Sequence, residues 1–273
     1  MKKYVLDLTV KSVERLHERY VLVKLTDSNP LPEMLPGQFV EVRVDGSLST
    51  FLRRPISIHF VDYDQNELWL LVATIGEGTR RMGELKAGEV LNCMLPLGNG
   101  FSLQDVATAT SADGKAPSRS HLLVGGGVGV APLLYLGKVL KEQGAEPTFL
   151  LGARTAKDLL MLNEFGKYGR VLVTTEDGSQ GERGFVTQHS VLGGERFDLI
   201  QCCGPTPMMK AVARYAHSVH TECEVSLENL MACGLGACLC CVEKVRGDED
   251  QPTNVCVCKE GPVFNINRLL WQD

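Results

Sequence analysis

The chain has 273 residues, of which 44% are hydrophobic and 22% are charged, and its formal net charge is −5. This composition is that of a globular protein large enough for two or three domains. The negative charge argues against a nucleic-acid-binding surface, and no apolar run approaches the roughly 20 residues of a membrane helix. The first residues, MKKYVLDLTV, lack the apolar stretch of a signal peptide. We therefore expect a cytoplasmic protein that contacts neither nucleic acid nor membrane.

Short runs of alternating apolar and polar residues fill the chain up to about residue 106. They are YVLDLTV, YVLVKLT, QFVEVRV, PISIHFV and ELWLLVATI, with Gly- and Pro-containing turns between them. Alternation with a period of two is typical of antiparallel strands. Several such strands in close succession predict a small antiparallel β-barrel domain of residues 1–106.

Two stretches of this barrel carry groups that suit a phosphorylated cofactor. LRRPISI places Arg54 and Ser57 on or beside a strand, where a guanidinium suits a diphosphate and a hydroxyl suits a flavin edge. IGEGTRRM adds a glycine turn with Thr79, which suits a phosphate. Neither stretch is specific by itself, since an arginine at a strand end is usually solvated.

Residues 107–120 are small and polar, which predicts an exposed linker. Beyond them the pattern changes, and strands alternate with two amphipathic helices, APLLYLGKVLKEQG and TPMMKAVARYAHSVH. The strands are HLLVGGG, PTFLLGA, RVLVTT and FDLIQCC. This alternation predicts a parallel sheet covered by helices, which we assign to a nucleotide-binding α/β domain of residues 119–222.

Glycines follow the first strand of this domain at the point where the first helix begins. Free N–H groups at a helix start attract phosphate, and glycine lets a pyrophosphate come close. The alternative is a tight turn without a ligand, because the spacing is not GxGxxG. CGPTPM ends a second strand at the same sheet edge, and its cysteine either lies beside a nicotinamide or is a small residue in a turn. The candidate nucleotide-binding residues are Gly125, Gly126, Gly127, Gly129, Cys203, Gly204 and Pro205.

Two acidic residues, Glu176 and Asp177, follow the strand RVLVTT. Acidic groups in such a loop disfavour a 2′-phosphate and so favour NAD over NADP. A solvated loop with no role in binding is the alternative interpretation.

Seven of the ten cysteines lie between residues 223 and 258. Cys233, Cys238 and Cys241 follow the CxxxxCxxC spacing of plant-type 2Fe–2S proteins, in which thiolates hold the iron. Cys256 and Cys258 are both candidates for the fourth ligand. We interpret Cys240 and Cys223 as non-ligands. A structural zinc site is the alternative, although zinc favours paired CxxC motifs. A small cluster domain of residues 223–273 is predicted.

The order of these motifs resembles the ferredoxin–NADP reductase superfamily, whose members bind FAD on the barrel and a nicotinamide nucleotide on the α/β domain. The C-terminal run MACGLGACLCC…CKEGPVF narrows the match. Over essentially its whole length the chain is similar to the electron-transfer subunits of class 1B, NAD-dependent dihydroorotate dehydrogenase.

This resemblance implies a specific set of cofactor residues. It implies Cys258 as the fourth cluster ligand, since the family's last cysteine precedes an acidic-Gly-Pro-Val-Phe run. The implied FAD-binding residues are Arg54, Pro55, Ile56, Ser57, Leu71, Val72, Ala73, Gly78 and Thr79.

The resemblance also implies a relay in pyrimidine biosynthesis. Electrons from dihydroorotate reach an FMN-containing catalytic subunit, pass through the 2Fe–2S cluster to FAD, and reduce NAD⁺. The expected assembly is a heterotetramer with two copies of each subunit. One alternative keeps the fold and makes the chain a subunit of a ferredoxin–NADP transhydrogenase or a sulfhydrogenase. Another is a non-enzymatic redox sensor or a zinc-stapled interaction module.

Overall fold

The computed structural model describes residues 2–47, 49–103, 119–247 and 250–271. The predicted linker of residues 107–120 lies outside this range except for its last two residues. The chain forms two compact units, one of residues 1–100 and 227–263, the other of residues 101–226 and 264–273. The predicted three-domain boundaries stay a prediction.

The first unit contains the predicted barrel, closed in the order β1-β2-β5-β4-β3-β6. A short helix, α1, follows β5. The bounds are β1 Tyr4–His17, β2 Tyr20–Thr26, β3 Phe39–Val42, β4 Arg54–Asp62, β5 Glu67–Ala73, α1 Glu77–Met82 and β6 Val90–Leu97.

Closure of the barrel follows from β1, which pairs antiparallel with β2 on one side and with β6 on the other. Along β1, Leu8 and Val10 are buried while Val5 is exposed, as the period-two pattern predicts. Because the sheet closes on itself, no long edge strand is left exposed to other chains. The predicted antiparallel barrel is confirmed.

The second unit contains a sheet of order β10-β9-β8-β7-β11-β12-β15, and the five pairings from β10 to β12 are parallel. All six residues of β7 are buried, as expected for a parallel strand covered on both faces. The bounds are β7 His121–Gly126, α2 Ala131–Glu142, β8 Thr148–Ala153, α3 Leu162–Gly166, β9 Arg170–Thr175, β10 Glu182–Arg183, α4 Val191–Gly194, β11 Leu199–Cys203, α5 Thr206–Ser218, β12 Glu222–Ser226 and β15 Val263–Asn265.

The predicted parallel α/β arrangement is confirmed, and the first helix begins where it was predicted. A 3₁₀ turn, Gly127–Val130, lies between β7 and α2, so the helix begins at Ala131. Pro132 lies in the first turn of this helix, and Gly144, with φ of +88°, follows its end. Proline is common at helix starts and glycine just after helix ends. None of the helices in the described ranges combines the length and apolar character needed to cross a bilayer.

Between β12 and β15 the chain leaves the sheet and forms the cysteine-rich segment, residues 227–263, within the first unit. The segment holds a two-stranded sheet and one helical turn. Its base is closed by a hydrogen bond from Leu227 N to Pro262 O of 2.9 Å. The bounds are β13 Val242–Arg246, β14 Pro252–Cys256 and α6 Val257–Glu260.

Gly137 of α2 packs directly on the fully buried ring of Phe149 in β8. A Cβ placed on Gly137 would lie 2.2 Å from Cζ of Phe149. Gly137→Ala should therefore destabilise the protein by about 1–3 kcal/mol through overpacking, although alanine favours an ordinary helix by about 1 kcal/mol. Thermal denaturation measures this, with Gly166→Ala in α3 as the control, because that site is open. An unchanged or raised Tm for Gly137→Ala would contradict the packing argument.

Candidate functional site

The cysteine motif lies in a loop between β12 and β13 that has no regular secondary structure. Gly234, Gly236 and Leu239 adopt positive φ values of +64°, +81° and +60°. Left-handed residues turn the chain sharply and aim successive backbone N–H groups to one side. The glycines between the cysteines thus allow the backbone to wrap around its own sulfur atoms.

Backbone N–H groups point at the cysteine sulfurs. Leu235 N donates to Cys233 Sγ at 3.4 Å, and Cys258 N donates to Cys241 Sγ at 3.4 Å. Hydrogen bonds of this kind, that from Leu235 first, lower the pKa of Cys233 to about 6. A thiol with a pKa near neutrality readily forms a thiolate, and the thiolate is the form that binds metal.

The sulfurs form two neighbouring pairs. Cys233 lies within hydrogen-bond reach of Cys238, and Cys258 within reach of Cys241. Burial and the adjacent Cys241 raise the pKa of Cys258 to about 12. A thiolate disfavours ionisation of a neighbouring thiol. Neighbouring cysteines therefore become thiolates together only when they bind a shared cation.

This donor set fits an iron–sulfur cluster better than zinc. Within the described residues, no three His, Cys, Asp or Glu side chains converge on one point closely enough to hold a single metal ion. The CxxxxCxxC spacing is that of plant-type 2Fe–2S proteins, whereas structural zinc favours paired CxxC motifs.

Cys256 and Cys258 differ in their contacts with the same glycine. Cys258 is buried, and its Sγ accepts a hydrogen bond from Gly236 N at 3.1 Å. Cys256 is half-buried, and its Sγ donates to Gly236 O at 3.7 Å. Acceptance of an N–H suits a thiolate and donation suits a thiol. The geometry favours Cys258, and its assignment as fourth ligand stays a prediction.

A buried glutamate lies where the cysteine loop meets the barrel wall. Glu41 of β3 is 0% exposed, and neither carboxyl oxygen has a hydrogen-bond partner among the described residues. A Cβ on Gly234 would lie 2.8 Å from Cγ of Glu41, so only glycine fits there. Burial, partly offset by Arg53, raises the pKa of Glu41 to about 7.

The candidate flavin residues lie where β4 and β5 diverge. Pairing between these strands begins at Ile58, opposite Leu70. The stretch 54–57 of β4 pairs with β3 on its other side, and the stretch 71–73 of β5 pairs with β2 on its other side. Two strand edges therefore face a gap, and Pro55, which has no N–H, is well suited to such an edge.

Arg54 lies against the first turn of α1. A Cβ on Gly78 would be 3.2 Å from Nε of Arg54 and 3.0 Å from Thr50, so glycine is needed for this close approach. The sequence predicted a glycine turn for IGEGTRRM, and that was wrong, because residues 77–82 form a helix. The hydroxyl of Thr79 caps this helix by accepting from Gly76 N at 3.1 Å. The structure thus brings Arg54, Gly78 and Thr79 together.

In the second unit, the candidate nucleotide residues converge at one sheet edge, as predicted. Gly125 of β7 lies opposite Cys203 of β11. The chain runs from β7 outward to β8, β9 and β10, and then returns to β11 on the other side of β7. The order of strands reverses at this point, and such reversals are where open α/β sheets bind ligands.

The glycines at this edge allow two loops to touch. A Cβ on Gly129 would lie 2.4 Å from Cα of Gly204, and one on Gly126 would lie 2.5 Å from Sδ of Met208. Gly127 has φ of +57°. Close packing therefore accounts for part of the glycine pattern, and nucleotide contact by these residues stays a prediction.

The acidic loop after β9 is exposed. Asp177 Oδ1 accepts hydrogen bonds from Ser179 N at 3.0 Å and from Ser179 Oγ at 2.6 Å, which lower the pKa of Asp177. The Asp177 side chain is thus engaged in its own turn. Glu176 is the acid left to oppose a 2′-phosphate.

Sequence reasoning missed Glu41, because an acid in the alternating run QFVEVRV is ordinarily a solvent-facing residue. The sequence feature that could have drawn attention to Glu41 was the arginine pair in LRRPISI. Arg53 Nη1 donates to the backbone O of Glu41 at 3.1 Å, and Glu41 lies opposite Pro55.

Comparison with known proteins identifies two domain families within the chain. Residues 228–270 match the iron–sulfur cluster binding domain of dihydroorotate dehydrogenase B, and residues 123–214 match an oxidoreductase NAD-binding domain. A Bacillus velezensis protein named dihydroorotate dehydrogenase B (NAD(+)), electron transfer subunit, is 39% identical and covers 96% of this chain and 97% of its own length. The protein of that name from Shouchella clausii is 39% identical over 86% of each chain.

The chain belongs to the family of dihydroorotate dehydrogenase B electron transfer subunits. The predicted resemblance to this family is thereby confirmed. Among solved structures, an NADH-dependent reduced ferredoxin–NADP oxidoreductase superposes with a TM-score of 0.80 at 29% identity, covering 97% of this chain and 90% of that one. A ferredoxin reductase of carbazole 1,9a-dioxygenase, 19% identical with a TM-score of 0.64, shares the fold across 81% of this chain and 67% of its own.

The raised pKa of Glu41 predicts a specific pH dependence of stability. The unfolded carboxyl loses its proton near pH 4.5 and the folded one near pH 7, so between these values the folded state binds more protons. The free energy of unfolding should fall as pH rises from about 4.5 to about 7. Glu41→Gln keeps the shape and removes this contribution.

Chemical denaturation of wild type and Glu41→Gln at several pH values measures the difference. We expect the variant to gain stability relative to wild type as pH rises through this window. Glu77→Gln is the control, since Glu77 is exposed and its pKa is lowered. A difference between wild type and Glu41→Gln that does not change with pH would refute the argument.

Proposed function

We propose that this chain is the electron-transfer subunit of an NAD-dependent dihydroorotate dehydrogenase, acting in pyrimidine biosynthesis. It receives electrons at a 2Fe–2S cluster and delivers them through FAD to NAD⁺. The observation that carries the proposal is the paired cysteine centre beside the barrel wall, within a segment that matches this family's own cluster domain.

The cofactors supply the redox chemistry: a cluster carries one electron at a time, and a flavin converts single electrons into the hydride that a nicotinamide takes. The chain supplies position and charge. We assign the cluster to Cys233, Cys238, Cys241 and Cys258, whose backbone N–H neighbours stabilise negative charge on sulfur.

We assign the flavin to the gap between the diverging edges of β4 and β5. A flat ring with hydrogen-bonding edges suits two strand edges whose backbone groups face each other. Arg54, beside the turn that contains Gly78 and Thr79, binds the diphosphate. Because the hydroxyl of Thr79 already caps its helix, Thr79 meets the phosphate with its backbone N–H.

We assign the nicotinamide nucleotide to the edge of the sheet at β7 and β11. The residues there are Gly125, Gly126, Gly127, Gly129, Cys203, Gly204 and Pro205. Cys203 ends β11 and is 2% exposed. Its proposed place is beside the nicotinamide.

The electron donor is a separate catalytic subunit, as the family's shared name, electron transfer subunit, supports. Large apolar side chains in the cysteine-rich segment are exposed, among them Leu230 at 86% and Leu239 at 65%. Exposed apolar groups of this size favour a protein partner. We propose an FMN-containing subunit, two copies of each chain, and a cytoplasmic location. The transhydrogenase alternative is supported less well, since the 39% identical relatives span nearly the same length.

The test is co-expression with an FMN-type dihydroorotate dehydrogenase subunit from the same genome. We expect the two chains to co-purify and to reduce NAD⁺ with dihydroorotate, and the catalytic chain alone to reduce none. Failure to associate, with NADPH-dependent dye reduction by this chain alone, would move the assignment to the transhydrogenase class.

Arg54→Ala should weaken FAD binding by about tenfold or more, because a charge-assisted hydrogen bond contributes about 1.5–3 kcal/mol. The flavin dissociation constant, from fluorescence of released FAD, measures this. Arg43→Ala is the control, since Arg43 lies on the same barrel and pairs with Asp45 on the surface. Equal flavin affinity of both variants would remove Arg54 from the site.

A further inference from the structure

A fifth cysteine, Cys256, lies beside the four proposed cluster ligands. Cys256 ends β14, and Cys258 lies two residues later in α6. The two sulfurs contact opposite ends of one residue: Gly236 N donates to Cys258 Sγ at 3.1 Å, and Cys256 Sγ donates to Gly236 O at 3.7 Å. Both cysteines are therefore held against the same point of the cysteine loop.

Cys256 also neighbours the sulfur that Cys258 contacts. Cys241 is a hydrogen-bond neighbour of both the Cys256 and the Cys258 side chains. The sulfurs of Cys233 and Cys238 are close enough to act electrostatically on Cys256. The Cys256 sulfur therefore lies beside Gly236 and Cys241, the same two residues that the Cys258 sulfur contacts.

We propose that Cys256 is an alternate ligand of the same centre and replaces Cys258 on the iron that Cys241 holds. The inference rests on the proposed 2Fe–2S function. In the exchange, the iron–sulfur bond to Cys258 breaks and one to Cys256 forms. The Cys256 thiol loses a proton and Cys258 gains one, so the charge and the iron oxidation state are unchanged.

The difference in burial between Cys256 and Cys258 sets the order in which an incoming donor reaches them. Cys258 is buried and Cys256 is half-buried, so an incoming cluster or metal donor reaches Cys256 before Cys258.

The test uses the full-length chain in four forms: wild type, Cys258→Ala, Cys256→Ala and the Cys256→Ala/Cys258→Ala double variant. Each is reconstituted with iron and sulfide under reducing conditions. Iron and acid-labile sulfide per chain are measured, together with the electron paramagnetic resonance spectrum of the reduced protein. FAD content reports that the barrel has folded.

We expect Cys256→Ala to retain iron and the wild-type spectrum. Cys258→Ala should retain most of the iron with shifted g-values, because the ligand geometry changes. The double variant should lose about tenfold in iron content, since three thiolates do not complete the site. Cys240→Ala/Cys258→Ala is the matched control, and it should resemble Cys258→Ala because Cys240 is exposed.

Iron loss in Cys258→Ala as severe as in the double variant overturns the proposal. Iron loss in Cys256→Ala, with a native spectrum in Cys258→Ala, also overturns it by making Cys256 the resident ligand. If alanine at 258 lowers FAD content, Cys258→Ser replaces it in the same comparison. A wild-type chain that binds FAD but assembles no cluster refutes the proposed function itself.

Discussion

Placing several cysteine thiolates close together in a small, partly buried site costs free energy. This cost is the main physical constraint on the C-terminal part of the structure. Neighbouring sulfurs and burial hold the pKa of Cys258 at about 12, whereas backbone N–H groups lower that of Cys233 to about 6. Binding of a cation by these sulfurs favours their thiolate forms. The positive-φ residues Gly234, Gly236 and Leu239 shape the loop that carries them.

In both units the order and pairing of the strands bring the candidate cofactor residues together. In the barrel, β4 and β5 diverge beyond Ile58 and leave two backbone edges facing a gap. In the sheet, the order of strands reverses between β7 and β11. In each case regular strand pairing fixes the positions of the candidate residues.

The period-two runs and the strand–helix alternation were enough to predict the barrel and the parallel sheet. The CxxxxCxxC spacing was enough to predict the metal centre, because ligand spacing is local in sequence. Contacts between distant parts of the chain were not predictable. The alternation around Glu41 indicates a solvent-facing residue, and only the folded chain brings Gly234 onto it. The short helix of residues 77–82 escaped prediction because two glycines flank or enter its first turn.

The cysteine-rich segment departs from the sheet after Ser226 and rejoins it at Val263, and Leu227 N bonds to Pro262 O across its base. Its two ends are thus fixed together independently of what lies between them. The entropy of closing a loop there grows only slowly with length. Because β12 and β15 are neighbours in the sheet, the chain enters and leaves the segment at adjacent strands, and the order of the sheet does not depend on how many residues the segment contains.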